Sequence, residues 1–82
     1  MAIFLGVHKI PAGMGEAEVT NGWNTYKQSA TVKGLRPLGA VVSMENSFAY
    51  CQTEAESADQ VREAHSAVAI PLEDVIEVKP LS

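Results

Sequence analysis

The sequence predicts an α+β fold whose elements follow the order strand, helix, strand, strand, helix, strand. Two segments place apolar residues at helical spacing, and four other segments have the apolar, β-branched character of strands. Turn-forming residues separate these segments. The two halves of the chain weakly repeat one strand–helix–strand unit, so we expect a ferredoxin-like βαββαβ sandwich with a four-stranded antiparallel sheet and two helices on one face.

The first half contains a predicted strand over Ala2–Lys9 and a predicted helix over Glu16–Val32. The apolar stripe of this helix has spacings of four, three and four and consists of Val19, Trp23, Tyr26 and Ala30. Gly34 is a natural helix end. Gly22 either marks a close approach to the sheet or is a tolerated flaw that costs about 1 kcal/mol relative to alanine.

The second half contains predicted strands over residues 35–44, 47–53 and 74–79. Pro37 lacks an N–H group, which favours an edge position for the second strand. Ser57 is suited to cap the second helix. The apolar stripe of that helix consists of Ala58, Val61, Ala64, His65 and Val68.

The chain has 82 residues, which we interpret as one domain over 1–82. A domain of this size buries only roughly 60% of its unfolded surface, so it commonly needs a disulfide, a metal or a partner subunit. Cys51 is the single cysteine, which excludes an internal disulfide and a closed zinc site of several cysteines. We therefore expect oligomerisation.

Charge balance and the length of the apolar runs argue against two classes of partner, nucleic acid and membranes. Six Lys and Arg residues against ten Asp and Glu residues give a net charge of -4, which argues against nucleic acid. No apolar run approaches the roughly 18 residues of a membrane helix, and the N-terminal apolar run is too short for a signal peptide. A single cysteine fits a reducing compartment, so we expect a cytoplasmic protein.

Alternation along the first strand predicts which residues face the helices. We expect Ile3, Leu5 and Val7 to do so, with Val7 opposite Cys51, which then lies in the core. The uncovered face then carries Phe4, Phe48, Tyr50, Leu38, Ala40 and Val42. Such an apolar face predicts a homodimer through the sheets, the alternative being a face covered by the chain's own loops and tail.

Two groups of residues are candidates for chemistry. Cys51 and His65 both point into the space between sheet and helices, where they form an activated nucleophile or two metal ligands. The alternative is a buried cysteine that acts as a small hydrophobe beside a hydrogen-bonded core histidine. Trp23 and Tyr26 belong to the core stripe of the first helix.

The second group lies on the predicted open face and contains His8 with Tyr50, Gln52 and Glu54. A two-fold axis there doubles the available ligands, and histidine with carboxylate suits nickel, zinc or copper. The alternative is an interface histidine that titrates with pH.

Several short motifs together resemble a known family. They are the opening FLGVHKIP, Tyr50-Cys51 before an acidic break, Val61-Arg62-Glu63 with His65 soon after, Pro71, and the closing Val75-Ile76-Glu77-Val78. This pattern resembles small bacterial ferredoxin-like domains, some of which are described as nickel-binding. The resemblance covers about half of the chain. It implies a dimeric α+β sandwich and a transition-metal site, nickel preferred, for which His8, Cys51 and His65 are the matching positions.

Three functions are compatible with these observations. The first is a non-enzymatic homodimer that binds a transition metal. The second is a cofactor-independent monooxygenase or small isomerase, whose apolar substrate occupies a pocket of at least about 300 Å³ lined by His65, Cys51, Tyr26 and Trp23. The third is a structural or interaction module without a ligand.

Overall fold

The computed structural model of the protein describes residues 1–81. Its elements are β1 (Ala2–Lys9), α1 (Glu16–Val32), β2 (Arg36–Ser43), β3 (Phe48–Ala55), α2 (Ala58–Ser66) and β4 (Asp74–Val78). The strands form one antiparallel sheet in the order β2-β3-β1-β4. The predicted βαββαβ order and the ferredoxin-like architecture are therefore confirmed.

Local chemistry explains both ends of α1 and the start of α2. The Gly15 N–H donates to Glu18 Oε1 at 3.0 Å at the start of α1, and Gly34 adopts a left-handed φ of 81° after its end. Ser57 caps α2 by accepting a hydrogen bond from the Gln60 N–H at 3.4 Å. The helix α2 ends at Ser66, so Val68, which we expected in its apolar stripe, lies beyond the helix. Within residues 1–81, neither helix combines the length and the apolar character needed to span a bilayer.

The predicted parity of β1 is wrong by one residue. Gly6, and not Val7, lies opposite Cys51, while Val7 lies opposite Tyr50. Phe4, Gly6 and His8 therefore face the helices. Both alternating sets of β1 contain apolar residues, so the pattern alone does not distinguish the two faces.

Packing explains why this parity is the stable one. Phe4, which we expected on the open face, is 5% exposed and belongs to the core, because its ring fills more of the space beneath the helices than a smaller aliphatic side chain does. Ala40 and Val42 also leave the predicted open face, since Ala40 pairs with the inward-facing Cys51. The strand β3 extends to Ala55, two residues beyond its predicted end.

In the part of the chain that the structure describes, the opposite face of the sheet carries no helix. Its apolar residues are Ile3, Leu5, Val7, Val41, Phe48, Tyr50, Ile76 and Val78. The rings of Phe48 and Tyr50 lie parallel with centroids 6.4 Å apart. We call this surface the open sheet face. Pro37 lies on the edge strand β2 as expected, next to a register shift before Gly39.

Candidate metal site

Three side chains from three elements converge between the sheet and the helices. His8 comes from the end of β1, Cys51 from the middle of β3 and His65 from α2. The two imidazole Nε2 atoms lie 3.4 Å (His8) and 3.5 Å (His65) from Cys51 Sγ. Their potential ligand atoms all lie within 4.8 Å of one another, close enough to hold a metal ion. No other cluster of this kind occurs among residues 1–81.

Both imidazoles have a defined orientation. His8 Nδ1 lies 2.9 Å from the Pro71 carbonyl, and His65 Nδ1 lies 2.8 Å from the Val61 carbonyl. A carbonyl oxygen can only accept, so each Nδ1 carries the hydrogen and each neutral ring keeps a lone pair on Nε2. Metal-binding histidines are typically held in this way, by a carbonyl on the other ring nitrogen.

The cluster has two hydrogen-bond acceptors but only one hydrogen to donate between them. Cys51 has one S–H hydrogen, and the Nε2 atoms of His8 and His65 both point their lone pairs at its sulfur. That hydrogen serves one imidazole at a time. The arrangement thus presents three electron-pair donors that share a single proton.

Burial keeps all three groups neutral without a metal. Removal from water lowers the pKa of His65 to about 4, against the opposing effect of its hydrogen bond to Val61. Burial also lowers the pKa of His8 from its usual value. Burial raises the pKa of the Cys51 thiol to about 11. An activated nucleophile needs a thiolate, so these shifts disfavour that interpretation of Cys51 and His65.

Tyr26 holds His65 in place from the side of α1. Its ring stacks on the His65 imidazole, with centroids 3.8 Å apart and an interplanar angle of 19°. Its hydroxyl forms a hydrogen bond with Thr53, which is fully buried. Burial raises the pKa of Tyr26 to about 12, so the hydroxyl stays protonated. The contact links both helices to β3 at the site.

Gly6 makes room for the cluster. A Cβ built on this residue would lie 2.7 Å from Cys51 Sγ, 3.2 Å from Leu72 Cδ2 and 3.6 Å from His65 Cε1. Any side chain at this position therefore displaces a ligand. The predicted parity of β1 puts this residue on the open face, although a glycine inside a strand is itself a signal for close approach.

The loop after α2 places the carbonyl that orients His8. Ala69 has a left-handed φ of 56°, and the Ile70 N–H donates to the His65 carbonyl at 3.0 Å. The Glu73 N–H then donates to the Val7 carbonyl at 2.8 Å. These bonds fix Pro71 between two anchored points. The motif pattern includes Pro71, but a backbone carbonyl leaves no signal in the sequence that would assign it to the site.

A cavity of about 330 Å³ adjoins the cluster. Its walls are mostly apolar, and they include Ile10, Met14, Val19, Trp23, Tyr26 and Ile70 together with the three candidate ligands. Gly22 also lines the cavity, and a Cβ there would meet no atom within 4 Å. The glycine is therefore not required for a close approach to the sheet, which was one of its two predicted roles.

The predicted cluster on the open face does not form. His8 points towards the helices, whereas Tyr50, Gln52 and Glu54 lie on the other side of the sheet. Glu54 instead pairs with Arg36 across β2 and β3, with an N–O distance of 3.7 Å. The off-by-one parity of β1 is the reason for this error.

Comparison with known proteins gives the fold. The chain is similar to SCO4226 from Streptomyces coelicolor A3(2), which is known from a crystal structure, with a TM-score of 0.85 over 99% of both chains. The two sequences are 22% identical, a level at which the likeness shows the fold alone. No family model matches the chain, and neither does any curated protein.

Proposed function

We propose that this protein is a small, non-enzymatic, metal-binding protein that holds one divalent transition metal, with nickel preferred, through His8, Cys51 and His65. The observation that carries the proposal is the convergence of two Nε2 lone pairs on one sulfur, at 3.4 and 3.5 Å. A metal that displaces the thiol proton satisfies all three donors at once.

Two of the three distances between the donors fit a bound ion. Typical bonds of about 2.3 Å to sulfur and about 2.0–2.1 Å to nitrogen, at tetrahedral angles, separate sulfur from nitrogen by about 3.5 Å. The two Nε2–Sγ distances agree with this value. The carbonyl contacts of both Nδ1 atoms support the proposal further, because they preset the tautomer that a metal needs.

The choice of metal rests on ligand chemistry and on the resemblance. Imidazole and thiolate suit nickel, copper and zinc and do not suit magnesium or calcium. Nickel is preferred because the motifs around His8, Cys51 and His65 resemble domains described as nickel-binding. The ranking is tested by competition, since divalent copper binds most nitrogen and sulfur sites more tightly than nickel does.

Equilibrium dialysis against nickel, zinc and copper, followed by elemental analysis, tests metal binding. We expect one metal ion per chain and a rise in melting temperature with nickel. His8→Gln and Cys51→Ser should each abolish both effects, since each removes a donor while roughly preserving its volume. Gln52→Ala is the matched control because Gln52 neighbours Cys51 on the opposite face. No bound metal at millimolar concentration would disprove the proposal.

One observation favours a second function. The cavity of about 330 Å³ meets the size expected for a small-molecule site, and its walls contain Trp23, Tyr26, Cys51 and His65, as the monooxygenase or isomerase hypothesis requires. Under this alternative the protein acts on a small apolar molecule without a metal. Turnover by metal-free protein, retained in His8→Gln, would favour it.

We also propose that a second copy of the chain covers the open sheet face. The chain measures 35 × 29 × 17 Å, so its broad face offers a footprint of roughly 1,000 Å², and a stable interface buries about 800 Å² per partner. Ile3, Leu5 and Val7 lie at the centre of this face. Contiguous exposed apolar patches of more than a few hundred Å² are unusual on soluble monomers, which supports a partner on this face.

A further inference from the structure

We infer that the metal site is left incomplete by the protein and that a small organic molecule in the adjoining cavity supplies a further ligand to the metal. The inference rests on the proposed metal site and adds the class of its ligand. That class is a compact molecule with an aromatic or other apolar body and one nitrogen or sulfur donor atom.

The protein supplies too few donors to complete the coordination of the metal. His8, Cys51 and His65 supply one ligand atom each, whereas zinc sites in proteins are almost always four-coordinate and nickel commonly takes four ligands in a square plane. Among residues 1–81, no further histidine, cysteine or carboxylate joins the cluster. Glu18 is the one carboxylate in the cavity wall, and its Oε1 is held by the Gly15 N–H at 3.0 Å. Three protein ligands with an open position are typical of sites that take up an exogenous molecule.

The cavity lies directly against the candidate metal site. The three candidate ligands are themselves part of its wall, so a metal bound by them borders the cavity. The volume of about 330 Å³ lies at the lower end of small-molecule sites. A molecule in this space would therefore lie beside a metal held by the three residues.

The walls of the cavity are mainly apolar and aromatic. Val19, Trp23 and Ile70 give the cavity an apolar lining, and Tyr26 adds an aromatic edge beside His65. Lys27 lies 5.5 Å from the centre of the Trp23 ring and does not line the cavity, so it secures the indole from outside. Such walls favour a flat, apolar body. A metal bound by thiolate and imidazole prefers nitrogen or sulfur in its remaining position.

Cobalt-substituted protein provides the test, because its visible d–d bands report every change of ligand. We compare phenylimidazole, which has both an aromatic body and a donor, with imidazole, which lacks the body, and with toluene, which lacks the donor. We expect phenylimidazole to shift the bands and to bind at least about tenfold more tightly than imidazole, since burial of a phenyl ring contributes well over the free energy of one tenfold step. Toluene should leave the bands unchanged.

Substitutions in the cavity wall make the test specific. Gly22→Leu should fill the cavity and remove the preference for phenylimidazole, with the cobalt spectrum retained. Gly22→Ala is the matched control, because it brings the same gain in helix propensity with little change of volume. Val19→Phe fills the cavity from one turn earlier and replaces Gly22→Leu if that variant does not fold.

The outcomes of the cobalt experiment distinguish a failure of this inference from a failure of the metal site. Cobalt binding with equal affinity for imidazole and phenylimidazole, or with no spectral response to either, would overturn this inference and leave the proposed metal site intact. Equal binding of phenylimidazole to metal-free protein would show that the molecule does not use the metal. Failure of cobalt to bind at all would overturn the metal site and this inference together.

Discussion

Gly6 and Cys51 are direct partners across the central strand pair, and a methyl group on Gly6 would lie 2.7 Å from Cys51 Sγ. This distance is shorter than any van der Waals contact between carbon and sulfur. The sulfur therefore occupies space that exists only because its partner has no side chain. The position of the central ligand of the candidate metal site depends on this glycine.

We expect Gly6→Ala to fold and to lose metal affinity by at least about tenfold, because overpacking of this kind typically costs about 1–3 kcal/mol and Cys51 must move to relieve it. Calorimetric titration with nickel measures the loss. Gly39→Ala is the matched control, since it is also a strand glycine and its Cβ would meet nothing within 4 Å. Equal affinity of the Gly6→Ala variant and the original protein would refute the role assigned to Gly6.

The order of elements was predictable from the sequence because each element carries its own local signal. The stripe through Trp23 and Tyr26 defines α1, the Ser57 cap begins α2, and Gly34 ends α1 in the left-handed conformation. These signals depend on neighbours in the chain. These signals can therefore be recognised in the sequence without knowledge of the tertiary structure.

The facing of β1 was not predictable in the same way. Ile3, Leu5 and Val7 form a more uniformly apolar set than Phe4, Gly6 and His8, so hydrophobicity favours the wrong face. The true parity depends on tertiary packing, namely the burial of Phe4 and the space left at Gly6. The wrong facing of β1 also places His8 on the opposite side of the sheet from the other two candidate ligands. Only the resemblance placed all three together.

Stability in the absence of metal should fall as the pH is lowered from about 6.5 to about 4. The folded-state pKa of His65 is about 4, against an ordinary value of 6.5, so the unfolded chain binds a proton that the folded protein excludes. The groups that face His65 are His8, Cys51 and Tyr26, and the pKa of His8 is lowered as well. The full effect of His65 is on the order of 3 kcal/mol and is absent above about pH 6.5.

Urea denaturation at several pH values with a metal chelator measures this dependence. His65→Phe is the comparison variant, because it keeps a ring against Tyr26 and has no titratable group. Its stability should vary less over the same interval. An identical pH dependence in both proteins would show that His65 is not its source.

The proposed dimer predicts a charge-sensitive interface. Leu5→Glu places a carboxylate at the centre of the open sheet face, opposite Gln52 and Ile76, and should convert a dimer into a monomer. Val32→Glu is the control, because Val32 is 88% exposed at the end of α1 and lies outside this face. Analytical ultracentrifugation over a range of concentrations distinguishes the two states. A monomer at all concentrations for the unmodified protein would contradict the proposal.

The loop that carries the Pro71 carbonyl should tolerate, and benefit from, a glycine at Ala69. A left-handed conformation costs a residue other than glycine roughly 1–2 kcal/mol, so a glycine at this position relieves that strain. The greater freedom of glycine in the unfolded chain offsets about 0.5–1 kcal/mol of this relief. Ala69→Gly, at φ 56°, should therefore raise the free energy of unfolding by about 0.5–1 kcal/mol. Ala67→Gly, at φ -60°, should lower it by a similar amount, because an ordinary right-handed conformation gives glycine no advantage. Neither residue is a candidate ligand or carries the Pro71 carbonyl, so nickel affinity should stay the same in both variants. If both substitutions shifted stability in the same direction, backbone strain at Ala69 would not be the cause.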